Sequence, residues 1–419
     1  MWIYSFYLFL INGIITYKIF HFSKKNSPEL TSKYFIYNDL HLNISIGNPI
    51  QTIKGIIDYE ERGLYIPNIL VNGYYNENKS STYIFEYENK SYIIQRIFNY
   101  GGNTFFARNS NEKILLNNGT SEISYNNFKF FLLTSNISNQ SLETALIGLK
   151  PKTYEDQFNF LSQLNEKNII SFNYQDEIKG KFILGIYPHE INNNLDSNSI
   201  LFIKAEKSFS DWNMEFTNIT SGNTSNPILK ATFSNNIKGI ISNMYYYSYI
   251  NNSFFKNFFS QKKCSFEKID NKYNKFSQLI IFYCDKDINI KNFENLEFFS
   301  KEMNYTFIFD YKDLFKIYNN KYVFLVFFDN SFSEKWKLGE IFIKKYNVFL
   351  DMDSKLFGFY TRNNIKSYSF YYIFIISFLL FIIFVLVICL FKQIIKIKKR
   401  KIRANELEDN YEYISSLNN

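Results

Sequence analysis

The sequence predicts an all-β body of two lobes followed by one C-terminal transmembrane helix. Three observations carry that prediction: the residue composition, the recurrence of short apolar segments between turn residues, and one long uncharged run near the C-terminus. Aromatic residues make up 20% of the 419, with 47 Phe and 34 Tyr, so strand formers dominate over Ala and Leu. A chain of this length buries a core without difficulty, as two packed lobes or as one large domain with additions.

The first element is the segment from Trp2 to Thr16, which is uncharged and rich in Leu, Ile, Phe and Tyr, with Lys18, Lys24 and Lys25 behind it. This reads as the core of a signal peptide, placed at residues 1–22. It has no charged leading region and no clear small-residue cleavage site, so an uncleaved signal anchor and a buried strand are the competing readings. Between Tyr34 and Tyr360, segments such as Leu40 to Ile46, Phe128 to Leu133 and Tyr322 to Phe328 are separated by Asn, Ser, Gly and Asp clusters, which is strand and turn punctuation. Few windows keep a helical period, Phe158 to Leu164 being a short exception, and no repeat of solenoid or propeller type is present. The two lobes are placed at residues 34–200 and 201–362.

From Ser367 to Phe391 no residue is charged, a run long enough to cross a hydrocarbon core as a helix. Lys392, Lys396, Lys398, Lys399, Arg400, Lys401 and Arg403 follow at once. The positive-inside rule then puts the tail, residues 392–419, in the cytoplasm and the β body in the lumen or outside, a single-pass type I arrangement in the secretory pathway or at the cell surface. About ten Asn-x-Ser/Thr sequons, among them Asn43, Asn78, Asn118, Asn218 and Asn304, lie on the lumenal side of that arrangement. In the tail, Tyr411-Glu412-Tyr413-Ile414 resembles a tyrosine-based sorting signal, against the simpler reading of an inert, disordered end.

The same basic cluster accounts for most of the net charge of +8, so the excess is local and gives no nucleic-acid face; the cluster suits anionic lipid headgroups. Three cysteines exclude a disulfide-dense scaffold and a multi-Cys zinc module. Cys264 and Cys284 are the natural pair, because Cys389 lies inside the apolar run. His21, His41 and His189 are too scattered for a metal site and each is expected at the surface. No phosphate-binding loop, dinucleotide glycine fingerprint, His-Glu-x-x-His or Gly-x-Ser-x-Gly is present, and nothing calls for a metal or an organic cofactor.

Several motifs, in order and at matching intervals, carry a family resemblance across roughly residues 34 to 362. Ile46-Gly47-Asn48-Pro49-Ile50-Gln51-Thr52-Ile53-Lys54-Gly55-Ile56-Ile57-Asp58 resembles the strand pair that leads into the first catalytic aspartate of pepsin-like proteases. Leu64-Tyr65-Ile66-Pro67 is similar to the family's Leu-Trp-Val-Pro, and Lys79-Ser80-Ser81-Thr82-Tyr83 to the run before its flap hairpin. Tyr100-Gly101 then falls near the position of the flap tyrosine. Ala145-Leu146-Ile147-Gly148-Leu149 resembles Gly-Ile-Leu-Gly-Leu, and Lys181 to Gly185 resembles Gly-x-Leu-x-Leu-Gly-Gly. Trp336-Lys337-Leu338-Gly339-Glu340-Ile341-Phe342-Ile343-Lys344-Lys345-Tyr346-Asn347-Val348-Phe349 resembles Trp-Ile-Leu-Gly-Asp-x-Phe-Leu-Arg-x-Tyr-x-x-Phe, with Gly358-Phe359 after it. The resemblance implies a bilobal all-β fold with a cleft between lobes, a substrate-binding role for Tyr100 and Gly101 on a flap, and a second-lobe disulfide that Cys264 and Cys284 would supply.

The chemistry that the resemblance implies is broken. Aspartic proteolysis needs two carboxylates sharing one proton, so that one activates water while the other donates to the substrate carbonyl. Each lobe of the family supplies one Asp in an Asp-Thr-Gly loop, where Gly admits close backbone approach and the hydroxyls fix the carboxylates. Here Asp58 keeps the first carboxylate, but Tyr59, Glu60 and Glu61 follow it, residues with no room in such a loop. Lys238-Gly239-Ile240-Ile241-Ser242-Asn243-Met244 falls where the second motif belongs, with Ser242 in the aspartate's place. Glu60 or Glu61 cannot replace the second acid, because both sit in Asp58's own loop. The few residues between the signal core and the first strand also leave little room for an inhibitory prosegment.

Three functional expectations follow. The first is a catalytically inactive pepsin-like ectodomain that binds a peptide or protein in its cleft at a membrane. The second is an active membrane-anchored endopeptidase with an unidentified second acid. The third is a structural surface glycoprotein. Oligomeric state is not specified by any of them.

Overall fold

In the computed structural model, residues 17–24, 36–71, 73–85, 95–100, 103–117, 122–136, 142–151, 157–164, 167–176, 179–205, 212–222, 224–242, 264–271, 277–330, 335–361 and 368–417 are described. The chain is mostly β, and it forms two compact units, residues 1–362 and 363–419.

The first unit contains a 14-stranded and an 11-stranded sheet. Leu40–Ile46 is a strand with the bounds its alternation predicts, and it pairs with Gln51–Asp58, whose last residues Gly55 to Asp58 lie parallel to Ala145–Gly148. Phe128 to Leu133 falls within the strand Glu122–Asn136, whereas Tyr322 to Phe328 is divided into Lys321–Phe324 and Val326–Asp329. At Phe158 to Leu164 the helical element is a 3-10 turn, Leu161–Leu164. The second sheet carries Ile240–Ser242, parallel to Val326–Asp329 and antiparallel to Lys335–Leu338.

Three features depart from the sequence reading. Trp2 to Thr16 lie outside the described residues, but Lys18–Lys24, which overlaps the range given to the leader, is a strand between Lys179–Leu184 and Leu40–Ile46. Its Phe20 and Phe22 face the core, and Lys24 is buried because its ammonium donates to Glu340 Oε1 at 2.7 Å. Secondly, strands from both sides of residue 200 share one sheet. Ile200–Lys204, Phe349–Asp351 and Leu356–Tyr360 all belong to the first sheet. Thirdly, His41 is buried at 6% exposure, since its strand is interior to the sheet; His189 is half-buried and its Nδ1 meets the Tyr360 hydroxyl at 2.6 Å. Among the described residues no group of His, Cys, Asp and Glu could hold a metal ion.

The core is built on aromatic rings. Phe342, on the short helix Glu340–Lys345, packs against Phe307 at 5.3 Å, Phe298 at 5.9 Å and Phe216 at 6.3 Å, the second edge-on and the other two tilted. One cluster of buried side chains runs from Phe20 through Trp212 to Phe359 and so includes residues of both sheets. The indole of Trp212 donates to Leu149 O at 3.0 Å.

Cys264 and Cys284 sit opposite each other on antiparallel strands Cys264–Asp270 and Gln278–Asp285, and are disulfide-bonded. Cys389 is a free, exposed thiol. A maleimide applied to the denatured, unreduced protein is therefore expected to add one label, moving to three after reduction. Two or more labels before reduction would contradict the pairing.

The second unit is described by one helix, Tyr368–Leu417. Within it, Ser377–Lys401 is apolar enough over 25 residues to cross a membrane, a length of about 37 Å against a hydrocarbon core of about 30 Å. The uncharged run ending at Phe391 lies in the first half of the helix. The helix does not stop there: it continues through the basic cluster, so the tail is helical as far as Leu417 where a disordered tail was the simpler expectation.

Candidate functional site

Asp58 ends its strand in the sheet interior and is 1% exposed. Its Oδ1 accepts the Glu60 N–H at 2.7 Å, and its carbonyl accepts the Leu149 N–H at 2.8 Å. The loop that follows is pinned to Ala145–Gly148 by further backbone bonds, Gly148 N–H to Gly63 O at 2.8 Å and Lys150 N–H to Glu61 O at 2.7 Å. The approach is so close that a Cβ on Gly148 would lie 2.4 Å from the Glu61 carbonyl carbon, so only glycine fits there.

Tyr59 was expected to find no room in this loop. It finds room by turning inward. At 3% exposure its ring meets Phe172 edge-on at 5.3 Å and Trp212 at 6.2 Å. The loop is also held from the second half of the chain. The Asn235 side chain accepts the Tyr59 N–H at 3.0 Å and donates to Ile57 O at 2.8 Å, gripping the backbone on both sides of Asp58.

Lys337 completes the grip. It lies on Lys335–Leu338, opposite Ile241 and so next to the strand that ends at Ser242. Its ammonium donates to Glu60 Oε1 at 2.6 Å, and the Ser234 hydroxyl approaches the same oxygen at 3.5 Å. Burial opposes the ammonium, but the fields of Glu60, Asp58 and Asp329 outweigh it and hold the Lys337 pKa above its ordinary value. Asp329, 7% exposed, is thus a second-sheet carboxylate in electrostatic reach of the lysine that also faces Asp58. Ser242 itself is fully buried, and its hydroxyl donates to Phe327 O at 3.4 Å.

Burial, reinforced by the charges of Asp58 and Glu60 and opposed by Lys150 and Arg62, pushes the Glu61 pKa up to about 8. At neutral pH the loop therefore carries one carboxyl that keeps its proton beside Asp58. Tyr100 ends the strand Gln95–Tyr100, paired with Asn103 of the next strand, but its side chain and the whole of Gly101 lie outside the described residues, as do Asn243 and Met244.

The structure thus links the Asp58 loop to the strand of Ser242 through Lys337. Sequence reasoning missed Asn235, Lys337, Asp329 and the environment of Glu61. Only Lys337 left a visible signal, a lysine where the resembled Trp-Ile-Leu-Gly motif has an apolar residue. No protein-family model matches the chain, and no curated protein matches it either.

Proposed function

We propose that this protein is a catalytically inactive pepsin-like protease homologue, anchored by its C-terminal helix, whose bilobal β unit binds a peptide or protein. The observation that carries the reading is the Lys337 ammonium bonded to Glu60 beside Asp58, with Ser242 ending the neighbouring strand. A fixed cation between carboxylates removes the need for a shared proton, and the shared proton is what lets such a pair activate water. Asp58 and Ser242 each end a strand with one parallel and one antiparallel neighbour, which suits the paired lobes of that family. The loss of chemistry leaves strand edges able to take an extended peptide by main-chain hydrogen bonding. In this reading the β unit faces the lumen or exterior and the basic end of the helix faces the cytoplasm.

A second reading, an active endopeptidase, is favoured by one observation: Glu61, in the loop of Asp58, has its pKa pushed up to about 8 and so holds a proton that a general acid could donate. One assay separates the two. The full-length protein in detergent micelles is incubated with a fluorogenic peptide pool from pH 3 to 7, beside Asp58→Ala and Glu61→Gln variants. The expected result is no cleavage above the Asp58→Ala background. Cleavage that both substitutions abolish would replace the first reading by the second.

A further inference from the structure

The first sheet holds a cavity of about 290 Å³, none of whose described lining residues belongs to the Asp58 loop. Its origin is the two-residue period of three neighbouring strands, Lys18–Lys24, Ile169–Tyr174 and Lys179–Leu184. Phe20, Phe22, Phe172 and Phe182 point into the core, so the alternate residues Ile19, Ser171, Asn173, Lys181 and Ile183 line the opposite face. The helix Pro188–Ile191 and Leu195 close over them.

Two features of this lining point to a ligand. Ser171 is 2% exposed, and its hydroxyl has no hydrogen-bond partner among the described residues, a condition that buried polar groups seldom keep. Lys181 is half-buried between cross-strand neighbours Asn173 and His21, it forms no ion pair among the described residues, and no Asp or Glu lines the cavity with it. The Asn173 carboxamide and the Lys181 ammonium therefore sit side by side across the strand pair, the Ser171 hydroxyl follows two residues from Asn173 on the same face, and Ile19, Ile183, Ile191 and Leu195 make up the apolar part of the lining. At about 30 Å³ per water-sized group, the volume holds roughly ten non-hydrogen atoms.

We propose that this cavity binds a small monocarboxylate with an apolar body, the carboxylate on Lys181, Ser171 and Asn173 and the body against the isoleucine wall. One cation matches one negative charge; a phosphate dianion would bring a second charge into a site with nothing to balance it. The inference is independent of what the Asp58 loop does.

The probe is 3-phenylpropionate, with 3-phenylpropanol as its uncharged counterpart, titrated by saturation-transfer NMR against the full-length protein in neutral-detergent micelles. The acid is expected to bind saturably and about tenfold more tightly than the alcohol. Lys181→Met should weaken the acid about tenfold and leave the alcohol unchanged, whereas Lys181→Arg should retain the acid. No saturable binding of the acid at roughly 10 mM, which is weaker than any useful small-ligand affinity, overturns the proposal. Equal affinity for acid and alcohol, or equal effects of the Met and Arg substitutions, also overturns it.

Discussion

Raising the pH from 5 to 8 is expected to destabilise the β unit, and Glu61→Gln is expected to remove most of that loss. The cause is the buried carboxyl of Glu61, whose pKa rises from 4.5 to about 8 in the folded protein. Between those two values the folded state holds a proton that the unfolded state has released, so the free energy of unfolding falls as pH rises through the window and levels off above it. Allowing for partial exposure of the group, the loss is on the order of 2–4 kcal/mol, seen as a lower unfolding temperature at pH 8 than at pH 5. Glutamine keeps the shape and a hydrogen-bonding capacity like that of the protonated acid, and it cannot ionise. The Glu61→Gln protein should therefore match the parent near pH 5 and exceed it near pH 8. Parallel pH profiles for the two would mean that Glu61 ionises normally and that no carboxyl in the loop is held protonated.

How much of this was legible in the sequence depended on whether the signal was local. Leu40–Ile46 was readable because alternation along one strand is a local property, and so was the C-terminal helix, since a long uncharged apolar run has few other uses. The Cys264–Cys284 pair followed from excluding the cysteine in that run. What was not legible needed a partner far along the chain. Lys18–Lys24 looked like the end of a leader because lysines flank it, and burying Lys24 makes sense only once Glu340 is beside it. Tyr59 looked too large for its loop because nothing local shows that Phe172 and Trp212 form a slot for its ring. The return of the strands Phe349–Asp351 and Leu356–Tyr360 from the end of the unit to pair in the first sheet was equally invisible, since it too is a long-range pairing.

Asn235 was the least legible residue of the site, one Asn among many, yet its removal is expected to be among the most damaging single changes. It is fully buried, and its one carboxamide satisfies both the Tyr59 N–H and the Ile57 carbonyl. Asn235→Ala leaves two buried backbone groups without partners, at about 1–3 kcal/mol each before relaxation, so a loss of roughly 2–4 kcal/mol is expected by denaturant unfolding. Asn235→Asp separates the donor from the acceptor. The acid still accepts from Tyr59, but when ionised it cannot donate to Ile57 O, and it places a second negative charge close to Asp58. This variant should therefore be worse than Ala at pH 7 and recover toward it near pH 4, as the new carboxyl takes up a proton. Lys337→Met touches the same loop through Glu60, at a pair that water partly reaches, so its own cost should be smaller, roughly 1–2 kcal/mol. Because both residues hold one loop, their costs should not add: once Asn235 is gone and the loop is loose, removing Lys337 should cost less than it does in the parent. Strict additivity would show that each anchors its own side of the loop independently.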